Sequence, residues 1–109
     1  MQKGLISRYI IFQILKSLKN EKINYDSIFL EIIKNKKISS SDIKLIQNVV
    51  LTSMRYNLEI NQILKIYVKK INKNSNSYFL ILSSITQIVF LNFKDYAVIH
   101  SLVEIAKNK

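Results

Sequence analysis

From Leu5 to Leu18 apolar side chains recur at helical spacing, Leu5, Tyr9 and Phe12 on one line and Ile6, Ile10 and Ile14 beside it. That spacing predicts an amphipathic helix with a broad apolar face. Asn20 to Asn24 is a polar break. Asn24 or Tyr25 then opens a short helix whose Ile28, Phe29, Ile32 and Ile33 point inward, with Asp26 at the positive end of the helix dipole. After the charged turn Asn35-Lys36-Lys37, Ser39 followed by Asp42 reads as a shortened capping box. It precedes a long periodic run, Ile43, Ile46, Val49, Val50 and Met54. A bend is expected between Arg55 and Leu58, and beyond it Ile60, Ile63, Leu64, Tyr67 and Ile71 align on a fourth helix. Asn72 to Asn76 is a loop, with Ser75 or Ser77 placed to cap the fifth helix. From Ser77 to Asn92 the chain is apolar on most sides, as expected of a central helix that the others wrap. Asn92 to Lys94 turns the chain, and Asp95 is placed to cap a last helix carrying Ala97, Val98, Leu102, Val103 and Ala106.

Nothing inside the 109 residues interrupts this pattern: there is no proline, and the single glycine is Gly4. The expected fold is all-α, one compact domain over residues 1–109 with about six helices joined by short links. The longest apolar stretch, Tyr78 to Phe93, contains Ser83, Ser84, Thr86 and Gln87 and reads as a buried helix rather than a membrane span. Met1 to Lys19 carries Arg8 and Lys16 within its apolar run and has no cleavage site, so no signal peptide is read and a cytoplasmic location is expected.

The formal net charge of +10, from 17 basic and 7 acidic residues, points to an anionic partner such as nucleic acid. Ile, Lys and Asn together make up 46 of the 109 residues, the bias of an AT-rich coding sequence, so lysine count alone is weak evidence. Arg8 and Arg55 carry more weight, being the only arginines. Lys3, Arg8 and Lys16 cluster on the first helix; Lys65, Lys69, Lys70 and Lys73 line the exposed face and end of the fourth. Lysines at a helix C-terminus also complement its dipole. Tyr9 and Tyr56 flank the arginines and are placed to stack on unpaired bases, although Tyr9 also reads as a core residue.

Catalytic chemistry lacks its parts. No cysteine is present, which removes a disulfide scaffold, a thiolate zinc site and a cysteine nucleophile. The one histidine, His100, has only Glu104 within a helical turn, and reads as a surface residue. Asp26, Glu31, Asp42, Glu59, Asp95 and Glu104 are scattered without metal-ligand spacing, and no glycine-rich loop exists to cradle a phosphate.

Three segments carry a family resemblance. Ser39 to Ile63, SSSDIKLIQNVVLTSMRYNLEINQI, resembles the part of NusB-like domains where a helix with an acidic start ends in a small-apolar-Arg turn, here Ser53-Met54-Arg55. Leu80 to Leu91, LILSSITQIVFL, is similar to their central helix with its interior glutamine, here Gln87. Asp95 to Lys107, DYAVIHSLVEIAK, is similar to their most specific signature. The chain departs from the pattern where His100-Ser101 replace Asn-Glu and Ser84 replaces a close-packing glycine. It also stops after Ala106-Lys107 where the family continues into a further helix.

The resemblance implies a NusB-like helical bundle that binds RNA and has no catalytic residue. Two kinds of protein carry this domain. One is an RsmB-type 16S rRNA (cytosine-C5) methyltransferase, in which it is an N-terminal substrate-positioning domain. The other is a free-standing antitermination factor that binds RNA together with a ribosomal protein. The spacing from Asp42 to Arg55 and the DYAV segment are closer to the methyltransferase. Ribosomal RNA is then the expected partner, contacted by Lys3 and Arg8, with Arg55, Lys65 and Lys69 as further candidates. No cofactor is expected within residues 1–109. S-adenosylmethionine, with the cysteine nucleophile such an enzyme needs, would belong to a downstream catalytic domain. A missing last helix would leave an apolar groove near Leu102 and Val103, through which the chain could form a homodimer.

Overall fold

The first helix, α1 (Lys3–Asn20), exceeds its expected span at both ends and buries Ile10, Ile11, Phe12, Ile14 and Leu15. The computed structural model describes residues 3–21, 24–34, 38–68 and 70–107, the side chain of Lys3 excepted. Ile6, expected on the apolar face, is 42% exposed, and Ile11 and Leu15 take the core positions instead. The Asn24 side chain caps α2 (Tyr25–Lys34) by accepting the Ser27 amide at 2.9 Å; Ile28 is buried there, and Phe29, Ile32 and Ile33 are half-buried. The turn at residues 35–37 lies outside the described residues.

Ser39 caps α3 (Ser40–Arg55) as its spacing to Asp42 predicts, its hydroxyl accepting the Asp42 amide at 3.2 Å. Ile46, Val49 and Val50 are buried, whereas Met54 is 47% exposed and its neighbour Ser53 turns inward. Tyr56 alone separates α3 from α4 (Asn57–Tyr67). Ile60 and Leu64 fill the core, but α4 ends too early to align Tyr67 and Ile71 on one inward face, and Tyr67 stays 81% exposed. Ser75, not Ser77, caps α5 (Asn76–Ile85) through the Tyr78 amide.

The expected central helix is not a uniform α-helix. After Ile85 it widens into a π turn over Thr86–Phe90, closed by the Leu91 amide on the Thr86 carbonyl at 3.1 Å. The sequence supplies a cause. Ser84, Thr86 and Gln87 each donate a side-chain hydrogen bond to the carbonyl four residues back, on Leu80, Leu82 and Ser83. Such back-bonding competes with the backbone amides and loosens the helical turn. Asn92, at φ 56°, takes the left-handed conformation that asparagine tolerates and ends the segment. In α6 (Asp95–Lys107) Asp95 lies in the first turn rather than at a side-chain cap, and Val98, Ser101 and Ile105 face inward.

α1 and α5 share the centre. α1 packs on α2, α3, α5 and α6, and α5 on α1, α3, α4 and α6. Among the described residues there are six α-helices and no strand, and the Cα radius of gyration, 13.1 Å, matches the roughly 13 Å of a compact globule of this length. No described helix is long and apolar enough to cross a membrane. On α6 Leu102 is half-buried, and Tyr96, Ile99 and Val103 are exposed.

Candidate nucleic-acid interface

Among the described residues, five of the six buried polar side chains form two clusters around the π turn. Thr86, fully buried, pairs its hydroxyl with that of Ser53 on α3 at 2.8 Å. One residue later Gln87, 2% exposed, turns the other way and accepts from Arg8 Nε at 2.7 Å, while its amide nitrogen donates to the Ser83 hydroxyl and carbonyl. Arg8 Nη1 makes a longer contact, 3.4 Å, with the hydroxyl of Ser101 on α6. Arg8 thereby ties α1 to the π turn and to α6.

Gly4 leaves this arrangement room. A Cβ at that position would stand 2.9 Å from Arg8 Nη1, closer than such contacts occur, so the only glycine lies one turn before the arginine and leaves room for its guanidinium. Glycine within a helix costs up to about 1 kcal/mol relative to alanine. Gly4→Ala is therefore expected to leave stability unchanged or raised by up to about 1 kcal/mol while pushing the guanidinium away from Ser101. NMR checks this. The Arg8 Nη1 protons should exchange faster with solvent in the variant, and undiminished protection there would refute the role given to Gly4.

Among the described residues, all the partners of Arg8 are neutral. Its charge is half-buried, burial lowers its pKa from the usual arginine value, and among the described residues no carboxylate is ion-paired with it. An arginine still stays protonated at neutral pH. The space beneath the guanidinium, among Ser83, Gln87, Ser101 and Ile105, is about 10 Å³, so protein atoms rather than a water layer support it. On its other side an open cleft of about 520 Å³ is lined by Gly4, Leu5, Arg8, Tyr96, Ala97, His100 and Ser101. A guanidinium has five N–H donors, and two are engaged. The site is a fixed cation at the edge of a cleft, without a compensating carboxylate among the described residues, and has an exposed tyrosine and histidine beside it.

The sequence profile of the NusB family matches residues 5–109. The chain belongs to the NusB family. No curated protein and no solved structure matches it at a significant level. NusB domains are non-catalytic and generally bind RNA.

Of the residues expected to contact RNA in this NusB domain, Arg8 lies in the α1/α6 cleft and Lys65 in a separate groove beside α4. Arg55 is exposed, its guanidinium 5.4 Å from the Tyr56 ring, away from either. The Lys3 side chain and Lys69 lie outside the described residues. Tyr56 is no free stacking platform, since its ring lies against Phe90 at 4.8 Å, and Tyr9 is half-buried with its ring 6.0 Å from Phe12. His100 is exposed, as expected. The interior place of Gln87 was readable from the sequence, but its hold on Arg8 was not, nor were the parts played by Ser101 and Tyr96.

Proposed function

We propose that this domain binds single-stranded RNA, taking a backbone phosphate on Arg8 in the α1/α6 cleft and an unpaired base against Tyr96. The observation that carries the reading is a half-buried guanidinium that neutral groups hold in place and that no carboxylate among the described residues neutralises. A phosphate supplies the missing charge and accepts the planar N–H fork in pairs. Tyr96, 71% exposed at the cleft edge, offers a ring face to a splayed base.

Within that role the domain serves as the substrate-positioning part of a 16S rRNA (cytosine-C5) methyltransferase. The Asp42 to Arg55 spacing and the DYAV segment at the start of α6 support this over an antitermination factor. The coding sequence beyond Lys109 tests it: a catalytic cysteine and a glycine-rich cofactor fold are expected, and a stop codon would refute it.

RNA binding is tested with a fluorescein-labelled uridine decanucleotide. Arg8→Gln should weaken binding by about 10- to 100-fold, the worth of a charge-assisted hydrogen bond to phosphate. Arg8→Lys, which keeps the charge and loses the fork, should fall between. Wild-type affinity in a folded Arg8→Gln variant would sink the proposal.

A further inference from the structure

Eleven residues separate Arg8 from Lys19 on α1, about three turns, so the two stand roughly 16 Å apart and within about 20° of the same side. α5 runs antiparallel against this side, since Gln87 meets Arg8 at one end and Tyr78 meets Lys19 at the other. The Lys19 ammonium lies 4.9 Å from the Tyr78 ring centre. Tyr78 is itself fixed, 3% exposed, with its hydroxyl donating to Asn61 Oδ1 on α4 at 2.8 Å. Beside it opens a groove of about 330 Å³ whose walls include Leu58, Asn61, Gln62, Lys65 and Lys73.

Lys65 from α4 and Lys73 from the loop before α5 line this groove, and Lys19 from α1 lines the neighbouring cleft on the other side of their shared wall, Tyr78. Burial and then the nearby charge of Lys73 both lower the Lys19 pKa, so the two ammonium groups sense each other. None of the three is ion-paired with a carboxylate among the described residues, and all three are exposed. Like charges held together without a counter-ion are relieved by an anion that bridges them. The amides of Asn61 and Gln62 add neutral hydrogen-bonding groups beside the cations.

We propose that the groove lined by Lys65 and Lys73, with Lys19 over the Tyr78 ring that forms one of its walls, is a second phosphate-binding subsite for single-stranded RNA, at the opposite end of the α1–α5 seam from Arg8. This rests on the RNA-binding reading above and extends it. At roughly 3.4 Å per stacked nucleotide and up to about twice that when extended, the separation spans at least about three to five nucleotide steps. RNA binding therefore uses two anchors, and its strength depends on both.

The test uses the whole domain, the uridine decanucleotide and the double variant Lys65→Gln/Lys73→Gln, with Lys65→Arg/Lys73→Arg as the charge-preserving control. Two lost phosphate contacts should make the salt dependence shallower by about 1.4 in log–log slope. That is roughly a sevenfold smaller loss of affinity between 50 and 200 mM salt. The arginine control should keep the wild-type slope, and bound RNA should shift the Asn61 and Gln62 side-chain amide resonances. Because Arg8 is distant, its substitution and the lysine pair should act additively on log affinity. If Arg8→Gln weakens binding and the lysine variant does not, the second subsite is refuted and the Arg8 site stands. If the wild-type domain does not bind the decanucleotide, both proposals fall. If RNA affinity is unchanged but binding of a poly-glutamate peptide is lost, the groove belongs to an acidic protein and the proposal is overturned.

Discussion

Gln87→Leu should destabilise the domain by about 3 kcal/mol, most of it arising on a residue the substitution leaves in place. Leucine fits the volume and suits a position only 2% exposed, so the cost is not one of packing. It comes from Arg8, whose Nε–H loses its acceptor at 2.7 Å while the guanidinium stays half-buried. A hydrogen bond to a charged group is worth about 1.5–3 kcal/mol, and stranding the charge adds to that. The check is a double-mutant cycle by urea unfolding. Arg8→Met/Gln87→Leu replaces both partners with apolar groups and should recover all but about 1 kcal/mol; with Arg8→Met alone costing about 1 kcal/mol for the stranded Gln87 oxygen, the coupling is about 3 kcal/mol. At about 4–8 °C per kcal/mol for a domain near this size, Gln87→Leu alone should lower Tm by roughly 12–24 °C. A loss below about 1 kcal/mol would mean that Arg8 finds an equivalent acceptor and that Gln87 does not position it. The double variant also separates folding from function, since it restores stability without restoring RNA affinity.

Local chemistry was legible in the sequence wherever a feature depends on neighbours along the chain. Ser39 caps α3 because its hydroxyl needs only the amide three residues on, and Asn24 and Ser75 obey the same rule. The all-helical architecture came from the missing proline and the 3.6-residue period. The errors fall where apolar identity and burial part company. Ile6, Met54 and Tyr67 fit a helical face yet remain exposed, because the partner helix does not reach them. Conversely Ser53, Thr86 and Ser101 are buried, which polarity argues against, because each has a hydrogen-bond partner that the fold supplies. The π turn escaped notice because back-bonding from three polar side chains widens a run that reads as one helix.

The candidate site shows the same division. Arg8 stood out as an arginine in a lysine-rich chain, and Gly4 as the only glycine. Their connection was invisible because it depends on the guanidinium folding back over Gly4 when α6 closes against α1. Lys19 and Lys73, 54 positions apart, become neighbours only through the antiparallel packing of α1 and α5. Charge in the sequence suggested an anionic partner; only the packing shows which cations lack a counter-charge among the described residues.

Phe79→Ala should be among the most damaging single changes, costing about 3 kcal/mol within the 3–5 kcal/mol range for buried phenylalanine. Phe79 is 1% exposed on α5 and meets the Tyr78 ring edge-on at 5.1 Å. The lower end of the range is expected because Phe79 also borders an open cleft of about 260 Å³ with Leu15, Leu18, Met54 and Leu82. The truncated site can admit water or relax into that cleft instead of leaving a sealed void. Against a total stability of about 5–15 kcal/mol this removes a large share, and Tm should fall by roughly 12–24 °C. Tyr67→Ala, at an 81% exposed position, should change stability by less than about 0.5 kcal/mol. Thermal unfolding followed by circular dichroism distinguishes the two, and equal losses would mean that α5 is not central to the core. The substitution also reaches the proposed second subsite, since Phe79 supports the ring on which Lys19 rests. RNA affinity measured where Phe79→Ala is still folded should therefore fall in the same direction as in the lysine variant, with the Arg8 site unaffected.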